Sequence, residues 1–150
     1  MKSYPKTFVT NSSIDRKGLF AAEDIKEDTT IIEYTGEKIT NEEADNRERI
    51  NDISGTTYIF VYEDQTFCID GAVGGNDSRF ANHSCDPNMY LDFVNGHIYF
   101  MADRDIKKGE ELTYDYAYDY DPEAICICRC GSVNCRGMIN SYPESPSLST

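Results

Sequence analysis

The chain has 150 residues, enough for one domain with a modest hydrophobic core, and we expect a single domain. It has 14 lysines and arginines and 27 aspartates and glutamates, so its formal net charge is -13. This charge argues against direct binding to nucleic-acid phosphates and favours a basic protein or peptide partner. The acidity also serves solubility. The N-terminus lacks an apolar signal core and no run approaches a membrane span, which predicts a soluble, intracellular protein.

Short strands are predicted over the first forty residues. Residues 8–10 and 18–22 are apolar and β-rich, and a polar turn separates them. Residues 29–39 are rich in β-branched and aromatic side chains and are interrupted by Gly36. This pattern predicts one strand with a bend at the glycine.

The clearest helix signal follows at Thr40. Thr40 and Glu43 form a capping box, in which the Thr40 hydroxyl can accept a hydrogen bond from the Glu43 amide. The residues through Ile50 contain few β-branched side chains and many charges. A largely solvated helix is therefore predicted from Thr40 to Ile50.

The second half of the chain is again rich in strand signals. Residues 56–62 and 66–70 predict a hairpin around an acidic turn, and the glycine-rich residues 71–75 lack a dinucleotide-binding spacing and predict a turn. Asn95-Gly96 predicts a two-residue turn between the strands 89–94 and 97–101.

A final short strand is predicted at residues 110–114, and the Ser- and Pro-rich tail from 139 to 150 is predicted to be disordered. Many short strands, one evident helix and no βαβ alternation together predict a mainly β protein rather than a doubly wound α/β fold.

Cysteine spacing indicates a metal site. Cys128, Cys130 and Cys135 offer three thiolates where a tetrahedral zinc ion takes four ligands, and Cys85, at the end of Asn82-His83-Ser84-Cys85, can supply the fourth. Cys-x-Cys spacing suits a metal better than disulfides or free thiols. Because Cys126 lies two residues before Cys128, the set Cys126, Cys128 and Cys130 is an alternative.

These segments resemble a known family. Asn82-His83-Ser84-Cys85 resembles the central motif of SET-domain protein lysine methyltransferases, and residues 128–137 resemble their post-SET zinc motif. Further similar pieces follow in the family's order, at residues 17–21, 33–37, 58–60 and 109–116. The resemblance implies a SET domain at 8–120, a post-SET segment at 121–138 and Cys128, Cys130 and Cys135 as the zinc register.

The resemblance implies a particular architecture. Members of this family have several short curved sheets around a pseudoknot, a β-clip, with one or two short helices and a C-terminal zinc cluster. In this chain the segment after Tyr116 would pass beneath the loop that carries Asn82 and His83.

The resemblance also implies methyl transfer from S-adenosylmethionine to a lysine amine. Tyr116 would be the catalytic tyrosine beside the transferring methyl group, with Tyr114 and Tyr34 in the aromatic channel around the amine. A tyrosine at 114, rather than phenylalanine, implies mainly monomethylation. The implied cofactor-binding residues are Lys17, Gly18, Tyr58, Asn82, His83 and Arg129.

Some residues depart from the family pattern or lie outside it. Arg16 stands where the family has the first glycine of Gly-x-Gly, so a positive φ there would strain the arginine. Cys68 is predicted to be buried and His97 to be structural. Tyr118 and Tyr120 are predicted to pack in the core.

The sequence thus predicts a lysine methyltransferase that acts on a basic protein, histone or histone-like, with S-adenosylmethionine as donor and structural zinc. Two alternatives remain open: a catalytically silent, zinc-stabilised interaction domain, and a methyltransferase of a non-histone protein. The oligomeric state and the modified lysine are not specified by the sequence.

Overall fold

A computed structural model describes residues 3–54 and 58–143, with side chains for all of these residues except 51–54. Its regular elements are short strands, one α-helix and a 3-10 helix at Asp77–Phe80. They are β1 (Thr7–Asn11), β2 (Lys17–Ala21), β3 (Thr30–Glu33), β4 (Glu37–Ile39), α1 (Asn41–Ser54), β5 (Ile59–Val61), β6 (Cys68–Asp70), β7 (Asn82–His83), β8 (Met89–Val94), β9 (His97–Ala102) and β10 (Glu111–Tyr114). The predicted mainly β class is confirmed.

The largest sheet joins distant parts of the chain. Its strand order is β1-β2-β10-β7, with β1, β2 and β10 antiparallel and β10 parallel to β7. In the parallel pair Thr113 lies opposite Asn82, and Tyr114 lies opposite His83. The segment after β10 therefore begins beside the central motif.

Two three-stranded sheets complete the fold, in the orders β3-β9-β8 and β4-β6-β5. The predicted turn between β8 and β9 is confirmed, with φ of 51° at Asn95 and 84° at Gly96. Positive φ at both positions is the geometry that Asn-Gly adopts readily in a hairpin. The predicted hairpin of β5 and β6 also forms, and residues 56 and 57 of that prediction lie outside the described residues.

The prediction of one bent strand over residues 29–39 is wrong. β3 pairs with β9 and β4 pairs with β6, so the chain changes sheets at Gly36. A side chain on Gly36 would collide with the backbone of Asp70 and Gly71. The glycine is needed because two backbones meet closely at this crossing.

Helix α1 starts as predicted, with the Glu43 amide donating to the Thr40 hydroxyl at 3.1 Å. It continues to Ser54, beyond the predicted end at Ile50. Arg47 holds the helix against β6 through ion pairs with Glu43 at 2.8 Å and with the buried Asp70 at 2.9 Å.

The core lies where the sheets face one another. Leu19 and Leu112 from the first sheet pack with Ile98 and Phe100 from the second, and all four are fully buried. Cys68 is buried as predicted, with 2% of its surface exposed. Within the described ranges, no helix has the length and apolarity needed to cross a membrane.

Candidate active site and cysteine cluster

The central motif forms a buried strand. Asn76 caps the short helix at Asp77–Phe80 by accepting a hydrogen bond from the Ser78 amide at 3.0 Å, and the chain then enters β7. Asn82 and His83 are 8% and 3% exposed, and the parallel pairing with β10 fixes them. Polar side chains on this strand are therefore held inside the molecule.

Tyr116 is held against this strand at two points. Its amide donates to His83 Nδ1 at 3.0 Å and its hydroxyl donates to the Ala81 carbonyl at 2.7 Å. Burial raises the pKa of Tyr116 well above its ordinary value. The phenol therefore stays protonated at neutral pH and can orient or donate a hydrogen bond, but it cannot serve as a general base.

The tautomer of His83 follows from these contacts. Since Nδ1 accepts the Tyr116 amide proton, the proton of the neutral ring lies on Nε2. Nε2 is 3.4 Å from Cys85 Sγ. Burial lowers the pKa of His83, which favours this neutral form. The contact between Nε2 and Cys85 Sγ connects His83 to the cysteines.

Aromatic rings surround the Tyr116 side chain. The ring centroids of Tyr114 and Tyr118 lie 4.6 Å and 5.6 Å from that of Tyr116. Tyr34 donates its hydroxyl to the Tyr58 carbonyl and packs, with Tyr114, against Phe60 and Phe100. Burial also raises the pKa values of Tyr34 and Tyr114, so these rings form a neutral, poorly hydrated cluster.

The prediction that Tyr118 and Tyr120 pack in the core is wrong. Both side chains are 41% exposed. Tyr118 continues the row of rings outward from Tyr116, with ring centroids 5.6 Å apart. His97 lies on the β8–β9 hairpin and pairs with Glu33, outside this aromatic row.

A cleft of about 240 Å³ opens beside Tyr116. It brings together the predicted residues Asn82, His83, Tyr116 and Arg129. The other predicted residues are not among its lining residues: Lys17, Gly18, Tyr34, Tyr58 and Tyr114. The other lining residues meet only through the tertiary fold, and no local pattern marks them as residues of a cleft. Those residues are Ile14, Asp15, Ile127, Cys128 and Ile139.

Lys17 and Gly18 lie close in sequence to the cleft-lining Asp15 but outside the lining itself. Asn82 Nδ2 donates to the carbonyls of Asp15 at 3.2 Å and Lys17 at 3.0 Å, which ties the 15–17 segment to β7. A side chain on Gly18 would collide with the carboxyl group of Glu111. The backbone of this segment is therefore fixed by packing and by the Asn82 amide.

Arg16 adopts the strained conformation that the sequence suggested. Its φ is 37°, in the left-handed region that glycine tolerates best. It precedes β2 directly, next to the cleft-lining Asp15. The chain accepts this strain at the turn that borders the cleft.

The predicted cysteine cluster forms. The Sγ atoms of Cys85, Cys128, Cys130 and Cys135 all lie within 4.8 Å of one another, and Cys85 and Cys128 are 3.7 Å apart. Zinc with Zn–S bonds of about 2.3 Å at a tetrahedral centre needs sulfur separations of roughly 3.8 Å, so this set fits the ion. A disulfide needs sulfurs about 2.05 Å apart, which this pair does not approach. The alternative set with Cys126 is wrong, because Cys126 is exposed and outside the cluster.

The cluster is built to receive a cation. Burial raises the pKa values of Cys85 and Cys128, whereas hydrogen bonding from Ser132 and neighbouring groups outweighs burial and lowers that of Cys130. Four crowded thiols resist simultaneous ionisation, and a bound dication reverses this resistance by stabilising every thiolate.

Arg136 connects the cluster to Tyr116. Its Nη1 and Nη2 donate to the two carboxylate oxygens of Asp115 at 2.9 Å each, and its amide approaches Cys85 Sγ at 3.4 Å. Asn140, within the tail predicted to be disordered, is 2% exposed and accepts the Cys126 amide at 2.8 Å. That prediction is wrong for this residue, and residues 144–150 lie outside the described range.

Comparison with known proteins identifies the family. The family model for the SET domain matches residues 16–117. A histone-lysine N-methyltransferase of Schizosaccharomyces pombe, H3 lysine-4 specific, is 42% identical over 135 residues, which is 86% of this chain and 14% of that protein. Histone-lysine N-methyltransferase SUV39H2 of Xenopus tropicalis is 38% identical over 147 residues, covering 82% of this chain and 36% of that protein. The chain therefore belongs to the SET-domain family.

A solved structure agrees with this assignment. A chain of ctPRC2 in an autoinhibited conformation, bound to S-adenosylmethionine, superposes with a TM-score of 0.69 at 39% identity. The match covers 76% of this chain and 15% of the other. The chain thus spans only a minor part of the relatives that it matches.

Proposed function

We propose that the chain is a protein lysine N-methyltransferase that uses S-adenosylmethionine as the methyl donor. The single observation that supports this most is that Asn82, His83 and Tyr116 line one cleft, while Tyr114 packs on the Tyr116 ring with centroids 4.6 Å apart. SET-domain relatives named as histone-lysine N-methyltransferases support the same activity.

The cleft has the chemistry to hold the donor. Asp15, Asn82 and Arg129 supply acceptors, donors and a positive charge for an amino-acid end, while Ile127 and Ile139 offer an apolar wall for a flat ring. S-adenosylmethionine, once bound, supplies an electrophilic methyl group on a positively charged sulfur. We assign the predicted Lys17, Gly18 and Tyr58 to supporting the donor site through the backbone.

The tyrosine cluster prepares the acceptor amine. A free lysine has a pKa near 10.4, so only about one amine in a few thousand is neutral at pH 7. Tyr34, Tyr114 and Tyr116 line a poorly hydrated region that penalises the ammonium form and so favours the nucleophilic amine. The protonated Tyr116 hydroxyl, fixed on the Ala81 carbonyl, orients the reacting groups.

A zinc ion at the cysteine cluster would stabilise the part of the cleft formed by the cysteine segment. Cys85, Cys128, Cys130 and Cys135 would hold a closed, structural zinc with no position for water. The ion would fix the 128–135 segment, and with it Arg129 and Ile127 at the cleft. It takes no part in methyl transfer itself.

Tyr114 supports a product limited mainly to monomethyl-lysine. Its side chain is 9% exposed and packs against the rings of Phe60, Phe100 and Tyr116. A phenol in this position can hold a water against the lysine nitrogen and leave little room for added methyl groups. The substrate would be a basic segment of a histone or histone-like protein, which the net charge of -13 suits.

The decisive experiment is transfer of a labelled methyl group to a panel of basic proteins, with Tyr116→Phe as the matched variant. Loss of the hydroxyl should lower kcat by about 100-fold or more, with donor affinity retained. Mass spectrometry should find the label on lysine. A wild-type protein that binds the donor and the basic protein but transfers no methyl would instead be the silent interaction domain.

A further inference from the structure

Arg136 contacts three functional parts of the molecule at once. Its amide approaches the cluster ligand Cys85 at 3.4 Å, and its guanidinium forms two parallel hydrogen bonds to Asp115 at 2.9 Å each. Nε and Nη2 donate to the carbonyls of Asn140 at 3.2 Å and Ile139 at 3.0 Å. The side chain is only 13% exposed, so this arrangement is largely shielded from solvent.

Asp115 shapes the turn that carries Tyr116. Its Oδ1 also accepts the Ala117 amide at 2.9 Å, and Ala117 has a φ of 48°, in the left-handed region. A non-glycine residue stays in that region only where its surroundings enforce it. The carboxylate therefore holds the backbone on both sides of Tyr116 in the conformation that directs the ring toward the cleft.

We propose that Arg136 is a positioning residue, which couples the order of the cysteine cluster to the position of Tyr116 through Asp115. A bidentate guanidinium–carboxylate pair fixes distance and orientation together, which a single point charge cannot do. Arg136 follows the ligand Cys135 directly and Asp115 precedes Tyr116 directly, so each half of the pair moves with its functional neighbour. The catalytic consequence rests on the proposed methyl transfer, whereas the coupling itself does not.

The same residue fixes one wall of the cleft. Ile139 donates its amide to the Cys126 carbonyl at 2.8 Å, and Asn140 Nδ2 donates to the Asp119 carbonyl at 2.8 Å. Arg136 holds both of these residues through their carbonyl groups. Ordering of the cysteine segment is thereby transmitted to Tyr116 and to the facing wall by one side chain.

Amide hydrogen exchange tests the coupling without any turnover. In the zinc-loaded wild-type protein the amides of Tyr116 and Ala117 should exchange slowly, and zinc removal with a chelator should accelerate both. In zinc-loaded Arg136→Gln both amides should already exchange fast, and chelation should add little. Slow exchange of the two amides in zinc-loaded Arg136→Gln would overturn the proposal.

Arg104→Gln is the matched control. Arg104 forms a bidentate pair with Glu110 at 2.9 and 3.3 Å and makes no hydrogen bond to the cleft or the cysteines within the described chain. It should leave exchange at Tyr116 and Ala117 unchanged. Equal acceleration in both variants would contradict a specific coupling.

Kinetics and a second variant complete the test. If methyl transfer is observed, Arg136→Gln should lower kcat by about 10- to 100-fold with a small change in the KM for the peptide, as expected for misplacement rather than lost binding.

If Arg136→Gln loses its zinc, the variant Asp115→Asn tests the coupling instead. Residue 115 lies outside the cysteine segment, and the asparagine amide oxygen can still accept a hydrogen bond from the Ala117 amide. Unchanged exchange at Tyr116 in Asp115→Asn would also overturn the proposal. A wild-type protein without transferase activity would refute the proposed function, while the exchange rates would still decide the coupling.

Discussion

Glu111 carries an unusual buried carboxyl group. It lies on β10 beneath Gly18, and neither carboxylate oxygen forms a hydrogen bond within the described part of the chain. Burial raises the pKa of Glu111, and the polar groups of Ser12 and Asn82 offset part of this rise. The ionised form is therefore destabilised next to the strand that supports the cleft.

Replacing Glu111 by glutamine should stabilise the protein at neutral pH. Above the ordinary pKa and up to the raised one, the folded state binds more protons than the unfolded state, so the free energy of unfolding falls as pH rises through this window. Glu111→Gln should remove that fall and raise the free energy of unfolding at neutral pH by about 1 kcal/mol. Thermal denaturation between about pH 5 and pH 8 measures the effect.

Glu110→Gln is the neighbouring control with the opposite sign. The hydrogen bond from Arg104 lowers the pKa of Glu110, so its ionised form stabilises the folded state above the ordinary pKa, and this stabilisation is lost as pH falls through the lowered pKa. Glu110→Gln should reduce stability at neutral pH. An unchanged pH profile in Glu111→Gln would show that the carboxyl group finds a partner.

Tyr114→Phe should raise the number of methyl groups added to one lysine. Removing this hydroxyl from the largely buried side chain would release a water held against the amine and enlarge the space around the lysine nitrogen. Mass spectra of a modified peptide should shift from monomethyl toward dimethyl and trimethyl lysine, with little change in stability. Trimethylation by the unmodified protein would contradict the assignment.

Single residues could be predicted where their chemistry fixes their partners. The four clustered cysteines were predicted because zinc demands four thiolates at one point, and Cys126 was distinguished from them only by the family register. Tyr118 was mispredicted because nothing in the local pattern reveals whether another element covers a tyrosine. The position of Ile14 and Ile127 in the cleft lining cannot be predicted, because an isoleucine in the sequence carries no signal for it.

At the scale of elements, we expect the order of the segment from Cys126 to Asn140 to depend on a metal ion at the cysteine cluster. Apart from short bridges, such as Ile127 with Met138, it has no regular structure of its own. Its backbone hydrogen bonds are few, and most of its side chains from Cys126 to Arg129 are exposed. A segment with so little burial would be ordered chiefly by the ligands that it contributes to the ion.

Zinc removal should therefore disorder this segment and abolish transfer while leaving the three sheets folded. Limited proteolysis should cut within residues 126–140 after chelation, and circular dichroism should retain most of its strand signal. Cys126→Ser should bind zinc like the wild-type protein, whereas Cys128→Ser should not. A chelated protein with full activity, or loss of zinc from Cys126→Ser, would contradict this role.

Elements were predictable to the extent that their signals are local. The capping box at Thr40 and the turn at Asn95-Gly96 are encoded in four residues or fewer, and both form as predicted. The change of sheets at Gly36 depends instead on the approach of Asp70, 34 positions further along the sequence. No window around Gly36 contains that information.

At the scale of the whole molecule, the charge of -13 should govern encounter with a basic substrate. Raising the salt from about 50 to about 300 mM shortens the screening length, so the KM for a basic peptide should rise several-fold. The KM for the donor should change less, because it binds in a cleft of mixed polarity. Steady-state kinetics at both ionic strengths measure this difference, and an unchanged peptide KM would exclude electrostatic steering.

The parallel pairing of β7 with β10 has a consequence for biosynthesis. Asn82 and His83 leave the ribosome about thirty residues before the strand that fixes them, and the last cluster ligand, Cys135, emerges later still. Because these pairings join segments that are distant in sequence, the cleft can form only after β10 and the cysteine segment have both been made. A nascent chain should thus remain unable to capture a donor until residues through Ile139, the last of the cleft lining, have left the ribosome.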